Sequence, residues 1–199
     1  MINNLIVDIG NDAIRKSGQD GRIASVDENS NLADLIRSSW DSVIKFMYAS
    51  HPWAFKVIKA QADLRTIQGD PIAQQGMNVY AYPANALRIM GFYRDRGFQI
   101  RDDKARVSSD KDGKKVILSF ELPLFIEFIL DATSNDNISP WLREAITLKL
   151  AMEIARAKGR DIRLLAQEYT AMLDAARENN ATESETHRIE NDEYINARG

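Results

Sequence analysis

Apolar residues in the first fifty positions recur at the three- and four-residue spacing of amphipathic helices. A first helix is predicted up to Gly18, which can end it in a left-handed conformation. A second and stronger helical pattern begins after Asn31, the predicted N-cap, and ends before Pro52. The apolar faces of these two helices comprise Ile2, Leu5, Ile6, Ile9 and Ala13, and then Leu32, Leu35, Ile36, Trp40, Val43, Ile44, Met47 and Tyr48.

The pattern changes at Trp53, after which short runs of β-prone residues continue to about residue 131. Residues 95–97 and 111–113 have the composition of hairpin tips, and the polar residues 68–78 predict a loop. These features indicate an antiparallel β unit inserted between helices. The predicted strands are Phe55–Leu64, Leu87–Tyr93, Phe98–Asp102, Lys115–Leu122 and Leu124–Asp131.

Helical spacing returns towards the C-terminus. Ser139 and Pro140 are typical of a helix start, and the helix that follows is apolar on most of its surface up to Gly159. A further helix is predicted from Asp161. Residues 178–199 are polar, with six acidic residues and two arginines, so this segment is not expected to fold alone.

Together the patterns predict an α+β fold in four parts. Residues 1–52 and 136–177 supply the helices of one α-helical bundle, and residues 53–135 form the inserted antiparallel β unit. Residues 178–199 are predicted to form an extended acidic C-terminal tail that docks on a partner. A chain of 199 residues is long enough for one core with excursions.

Composition narrows the functions that this fold can serve. The formal net charge is −3, which gives no overall attraction to nucleic acid, and the absence of cysteine removes disulfides and thiolate metal sites. The first residues lack the basic start of a secretory signal, and no apolar run approaches the ~20 residues that span a bilayer. We therefore expect no membrane partner, and we expect the protein to be made and used in a cytoplasm or in something assembled there.

Candidate chemistry is sparse. Of the two histidines, His187 lies in the acidic tail, whereas His51 adjoins Pro52 and is predicted to pack at that helix end. Residues 108–113 resemble half a calcium loop, but its twelfth position, Ser119, cannot supply the bidentate carboxylate. We predict a protein that is not an enzyme and has no catalytic, metal-binding or cofactor-binding residues and no cofactor. The alternative is a hydrolase in which His51 activates a serine.

One region has an excess of positive charge. Between Arg88 and Lys115 nine basic residues accompany five acidic ones, with Phe92, Tyr93 and Phe98 nearby. Basic residues interleaved with aromatic ones can bind nucleic acid. A solvated hairpin of mixed charge is favoured, because the aromatics occupy strand positions that suit a core. A DNA-binding accessory protein that uses this region stays as the alternative.

Four stretches of the chain are distinctive: a loop at residues 23–30, a tryptophan–aromatic corner at residues 51–55, a tyrosine-rich stretch with a proline at residues 80–89, and a closing motif at residues 194–199. They resemble the podoviral tail tubular protein A family, the head-to-tail adaptors of short-tailed phages. The likeness covers nearly the whole chain. Two features depart from the family pattern. The basic region from Arg101 to Lys115 has no detailed match in it, and Lys56 follows Phe55 where a small or polar residue is usual.

The resemblance implies a virion structural protein, assembled in the host cytoplasm. It would form a ring, usually of twelve copies, that joins the portal to the tail tube or nozzle and lets genomic DNA pass without binding it specifically. We expect His51, Trp53 and Phe55 to form the junction between bundle and β unit, because large aromatics near a turn are costly to leave in water. The candidates for contact with the portal or a neighbouring subunit are Ile189, Tyr194, Ile195 and Arg198.

Overall fold

The computed structural model describes residues 2–65, 76–94, 99–100, 104–131 and 138–196, with side chains described from residue 4 to residue 182 within these ranges. Four α-helices and seven strands make up this part of the chain, which confirms the α+β class. The helices are α1 (Ile2–Lys16), α2 (Asn31–Ser50), α3 (Pro140–Ala157) and α4 (Arg163–Asn196). The strands are β1 (Val57–Gln61), β2 (Leu64–Arg65), β3 (Asn78–Ala81), β4 (Ala86–Tyr93), β5 (Ala105–Ser109), β6 (Lys115–Ser119) and β7 (Phe125–Leu130).

Contacts between residues divide the chain into two compact units. The helical unit comprises Met1–Phe55 and Thr133–Gly199, and the β unit comprises Lys56–Ala132. All four described helices belong to the helical unit, and all seven described strands belong to the β unit. The β unit is therefore inserted in the sequence between α2 and α3.

The core of the helical unit is built around α3. The other three helices all contact it, and residues on several of its faces are buried, which confirms the prediction of a helix packed on more than one side. Ser139 and Pro140 begin it as predicted, and the Ser139 hydroxyl accepts a hydrogen bond from the Leu142 N–H at 3.3 Å. The buried residues of α3 are Leu142, Ala145, Ile146, Thr147, Leu148, Leu150, Ala151, Met152, Ile154 and Ala155.

Glycines end α1 and α3 in the same way. Gly18 and Gly159 have φ angles of 71° and 67°, in the left-handed region that other residues rarely adopt. After Gly159 the Arg160 N–H donates to the Ala155 carbonyl at 2.9 Å, which satisfies a carbonyl of the last turn of α3. Both stops are therefore those that the sequence predicts.

The N-cap of α2 is Ser30, so the prediction of Asn31 is wrong. The Ser30 backbone is extended (φ −140°, ψ 149°) and its hydroxyl oxygen accepts the Ala33 N–H at 3.2 Å, whereas Asn31 is already helical. Glu28 orients this hydroxyl by accepting a hydrogen bond from it at 2.8 Å, and the same carboxylate accepts a hydrogen bond from the Ala24 N–H at 2.7 Å. The hydrogen bond from Ala24, followed by that from Ser30, holds the pKa of Glu28 below its usual value.

The β unit consists of two antiparallel sheets, with strand orders β1-β7-β4 and β2-β3-β6-β5. The chain passes from the first sheet to the second at Ala62, whose N–H donates to the Leu124 carbonyl at 2.8 Å. The predicted strand over residues 55–64 is accordingly divided between β1 and β2. The core cluster of this unit comprises Ala62, Tyr80, Phe92, Ile100, Ala105, Ile117, Leu124, Ile126 and Phe128.

Two strands, β3 and β5, are not among those predicted. β3 has only four residues, and β5 is a mostly exposed edge strand, so neither shows a long alternation of apolar and polar positions. Both pair with β6, which lies between them. The predicted loop over residues 68–78, hairpin tip at 95–97 and strand at 98–102 lie largely outside the described residues, although Gln99 forms an antiparallel bridge with Tyr93.

The C-terminal segment differs from the extended tail that was expected. α4 continues without interruption from Arg163 to Asn196, so residues 178–196 are helical. The composition of this segment means only that it cannot build a core of its own. It does not prevent a helix nucleated upstream from elongating, because nucleation is the costly step and residues 160–198 contain neither glycine nor proline.

Candidate interaction surfaces

The corner at residues 51–55 is anchored in the helical unit by the buried side chain of Trp53. Trp53 is 1% exposed, and its indole N–H donates to the Met47 carbonyl at 2.8 Å, which satisfies a carbonyl in the last turn of α2. Phe55 meets the ring of Tyr48 edge to face, with ring centroids 6.0 Å apart. The large aromatic side chains therefore fix the path of the chain as it leaves α2.

Asn180 of α4 binds this corner. Its Oδ1 accepts the Ala54 N–H at 2.8 Å, and its Nδ2 donates to the Pro52 carbonyl at 3.4 Å. The bond from Ala54 fixes which end of the amide is oxygen, so Nδ2 also faces Nε2 of His51, 3.2 Å away. An amide nitrogen can only donate, so Nε2 accepts this hydrogen bond in the tautomer that carries its proton on Nδ1.

In these contacts Nε2 of His51 does not face a serine hydroxyl, as the hydrolase alternative would require of that nitrogen. A histidine that activates a serine needs an acceptor nitrogen facing that hydroxyl, whereas Nε2 of His51 faces Asn180 and the ring lies edge to face against Trp53, with centroids 4.8 Å apart. Asn180 was not singled out in the sequence. It continues the buried stripe formed by Leu173 and Ala176, and that spacing is the one pattern that points to it.

Lys56 follows the corner and is the first residue of the β unit. Only 1% of its surface is exposed. Burial lowers the pKa of its ammonium group, while the charge of Asp131 acts in the opposite direction. The three predicted junction residues, His51, Trp53 and Phe55, all belong to the helical unit and immediately precede this boundary in the chain.

A polar cluster ties together the three strands of the first sheet. The Tyr93 hydroxyl donates to Glu127 at 2.9 Å, and Nζ of Lys59 lies 3.4 Å from the centroid of the Tyr93 ring. Burial, assisted by the hydrogen bond to Glu127 and by its charge, raises the pKa of Tyr93 to about 12. The cation–π contact and the charge-assisted hydrogen bond connect β1, β4 and β7 side by side.

The β5–β6 hairpin presents positive charge on a rigid turn. Oδ1 of Asp110 accepts the N–H groups of Asp112 at 3.0 Å and Lys114 at 2.8 Å, and its Oδ2 lies 3.5 Å from a guanidinium nitrogen of Arg65. The hydrogen bond from Lys114 contributes most to holding the pKa of Asp110 below its usual value. The turn confirms the hairpin tip predicted at residues 111–113. The exposed basic residues of the hairpin are Lys104, Arg106, Lys111, Lys114 and Lys115.

Apolar side chains lie among these cations. Val107 on β5 is 43% exposed, and Phe120, directly after β6, is 56% exposed. The Phe120 N–H reaches the Lys104 carbonyl at 3.4 Å and extends the β5–β6 ladder by one residue. Apolar groups surrounded by charged ones are typical of the contact surfaces between proteins.

α4 carries charge of the opposite sign. Glu168, Asp174 and Glu178 are exposed on its first half, and Asp174 pairs with Arg177 at 3.2 Å. Over its whole length, the sequence of α4 has eight acidic residues and three arginines. The net charge of α4 alone is therefore more negative than the net charge of the whole chain.

The predicted contacts with the portal or a neighbouring subunit fall outside the described side chains. Ile189, Tyr194 and Ile195 belong to the helical backbone of α4, beyond the last residue whose side chain is described. Arg198 lies outside the described residues altogether. Their contacts stay predictions.

Other chemistry is limited in the part of the chain that the structure describes. Those residues contain no group of three histidine or acidic side chains placed to hold a metal ion. No described helix combines the length and the apolar composition needed to cross a membrane. A groove of about 520 Å³ along α1 mixes carboxylates with guanidinium groups, among them Asp8, Asp12, Arg15 and Arg143.

No family model matches the chain, and no curated protein matches it.

Proposed function

We propose that the chain is a structural head-to-tail adaptor of a tailed phage. Copies form a ring, of twelve by the family resemblance, that joins the portal to the tail tube or nozzle and encloses the DNA passage. The protein is then a component of the virion connector, assembled in the host cytoplasm, and acts without a cofactor.

The corner at residues 51–55 is the observation that carries this proposal. The stretch that resembles the tryptophan–aromatic corner of the family is bound by Asn180, which lies 126 residues after Ala54. The last helix, α4, is thereby hydrogen-bonded to the residues that directly follow α2. Helices from both ends of the sequence form one unit, and the β unit is inserted between them, in the order of elements that the resemblance implies.

The surfaces support extended contacts with several partners. Subunits of a ring need large contact areas with each neighbour rather than a single pocket. Exposed apolar side chains are present in both units, and charged surfaces of opposite sign lie on α4 and on the β5–β6 hairpin. The largest exposed apolar residues include Phe46, Trp141 and Leu164 in the helical unit, and Phe120 and Leu122 in the β unit.

The net charge also fits a channel for DNA. A ring lined with basic residues would retain the phosphates of a passing duplex, whereas a chain with a net charge of −3 gives no such overall attraction. A strongly positive lumen in an assembled ring would contradict this part of the proposal.

Mixing the purified chain with the portal protein of the same phage tests the proposal. We expect the mass of the complex, measured by mass photometry or sedimentation, to exceed that of the portal ring by a fixed number of adaptor chains. A chain that stays monomeric and unbound in the presence of portal rings would rule the adaptor function out.

The exposed cations of the hairpin favour one second candidate, a DNA-binding accessory protein. In that case the chain binds duplex DNA at about 0.15 M salt, and the affinity falls steeply as salt increases because counterions are released on binding. The adaptor proposal predicts weak binding that is lost at about that salt concentration. Titration of a labelled duplex with the wild type and with Lys111→Glu/Lys114→Glu separates the two.

A further inference from the structure

We propose that the β5–β6 hairpin of one copy is the docking surface for α4 of the next copy. This inference rests on the proposed ring and names a contact that closes it, an interface between two different surfaces of the same chain. The hairpin surface consists of Lys104, Arg106, Lys111, Lys114, Lys115 and Phe120, and the helix surface is marked by Glu168, Asp174 and Glu178.

The hairpin is pre-organised for such a contact. Asp110 uses its carboxylate for the N–H groups of its own turn and for Arg65, so Asp112 is the one exposed acidic residue that opposes the five exposed cations of residues 104–115. A turn that is already rigid loses little conformational entropy on binding. Phe120 lies opposite Lys104, on the same face of the hairpin as Arg106, and would form the apolar contact, with the basic side chains beside it as a polar rim.

α4 is long enough to reach a neighbouring molecule. α3 has 18 residues and α4 has 34, and five residues connect them, as in antiparallel helix pairs. The end of α4 therefore extends about 24 Å beyond the length of α3. Asn180 is buried and binds the corner at residues 51–55, and the sequence after it, to residue 196, contains five acidic residues and one arginine.

Charge complementarity identifies the occupant as a second copy. α4 has eight acidic residues and three arginines, whereas residues 104–115 have five basic and two acidic residues. In a closed ring every copy presents one surface of each kind, so each acidic helix has a basic hairpin beside it. A DNA duplex would attract the lysines through its phosphates, but its backbone offers little apolar surface to Phe120.

A charge-swap experiment tests this contact. The hairpin variant is Lys111→Glu/Lys114→Glu, the helix variant is Glu168→Lys/Glu178→Lys, and a third variant combines all four changes. The control Arg22→Glu/Arg88→Glu changes the net charge by the same amount as the hairpin variant, at exposed positions away from the hairpin. All six positions are exposed, so unchanged circular dichroism and melting temperature are expected throughout.

Ring assembly on the portal is measured for each variant at about 0.15 M salt. We expect the hairpin and helix variants each to weaken assembly about tenfold or more, the control to assemble like the wild type, and the combined variant to regain most of the loss. Rings that form equally well from all variants overturn the inference while leaving the proposed function intact. The same holds if the hairpin variant loses only DNA binding. A wild type that never assembles on the portal overturns both.

Discussion

At Trp53 a large aromatic ring is removed from water while its one polar atom is paired with the end of α2. We expect Trp53→Ala to destabilise the chain by about 3–5 kcal/mol, because it leaves a cavity in the core of the helical unit. Chemical denaturation measures this, with Trp141→Ala as the control, since Trp141 is 46% exposed and should change stability little. Equal stability of the two variants would indicate that Trp53 serves an external contact instead.

Asn180 has a separate role at the same corner, because its amide satisfies backbone groups rather than filling space. Asn180→Ala leaves the Ala54 N–H without its acceptor, and we expect a loss of about 1–3 kcal/mol. Gln167→Ala, at an exposed position on the same helix, is the matched control. If both variants unfold at the same denaturant concentration, the amide does not hold the corner.

Two tyrosines, Tyr48, which is buried, and Tyr93, which is partly buried, make stability depend on alkaline pH. Burial raises the pKa of Tyr48 to about 12, and burial with Glu127 raises that of Tyr93 to about 12. Since both folded values exceed the unfolded value of about 10, the stabilisation is complete below pH 10 and is lost as pH rises towards 12. For Tyr48 this amounts to about 3 kcal/mol.

Unfolding curves between pH 9 and pH 12 check this expectation. Tyr48→Phe removes one titrating group, so its stability should fall less over that range than that of the wild type. If the stability of the wild type and of Tyr48→Phe falls in parallel as pH rises, folding does not raise the pKa of Tyr48.

At the scale of elements, local rules explain the helices better than the strands. Gly18, Gly159 and the Ser139-Pro140 pair mark helix ends through local backbone conformation and, at Ser139, a hydrogen bond within the same turn, so the sequence is sufficient to place them. β3 and β5 depend on pairing with β6, and a polar edge strand such as β5 carries no alternation of its own. Asn180 could not be assigned from sequence because its partners lie more than 120 residues away.

The two halves of α4 should contribute differently to stability. Deletion of residues 183–199 removes the acidic end of the helix but keeps Asn180, so the melting temperature should stay close to that of the wild type. Deletion of residues 178–199 also removes Asn180 and its bonds to the corner, and should lower it clearly. Both truncations are expected to lose attachment to the portal. Equal melting temperatures for the two, or undiminished attachment, would contradict this division.

At the scale of the whole molecule, charge is distributed unequally between the two units. The helical unit has 14 basic and 19 acidic residues, and the β unit has 12 basic and 10 acidic residues. α4 has eight acidic residues and three arginines, so its excess of acidic over basic residues equals that of the whole helical unit. A chain with separate acidic and basic surfaces is suited to head-to-tail association with copies of itself.

Electron microscopy of the purified chain bound to portal rings tests the central claim most directly. The account predicts an added ring on one face of the portal, with the portal's rotational symmetry and an open central channel. Averages that show bare portal rings, or isolated copies scattered over the portal without a closed ring, would contradict it.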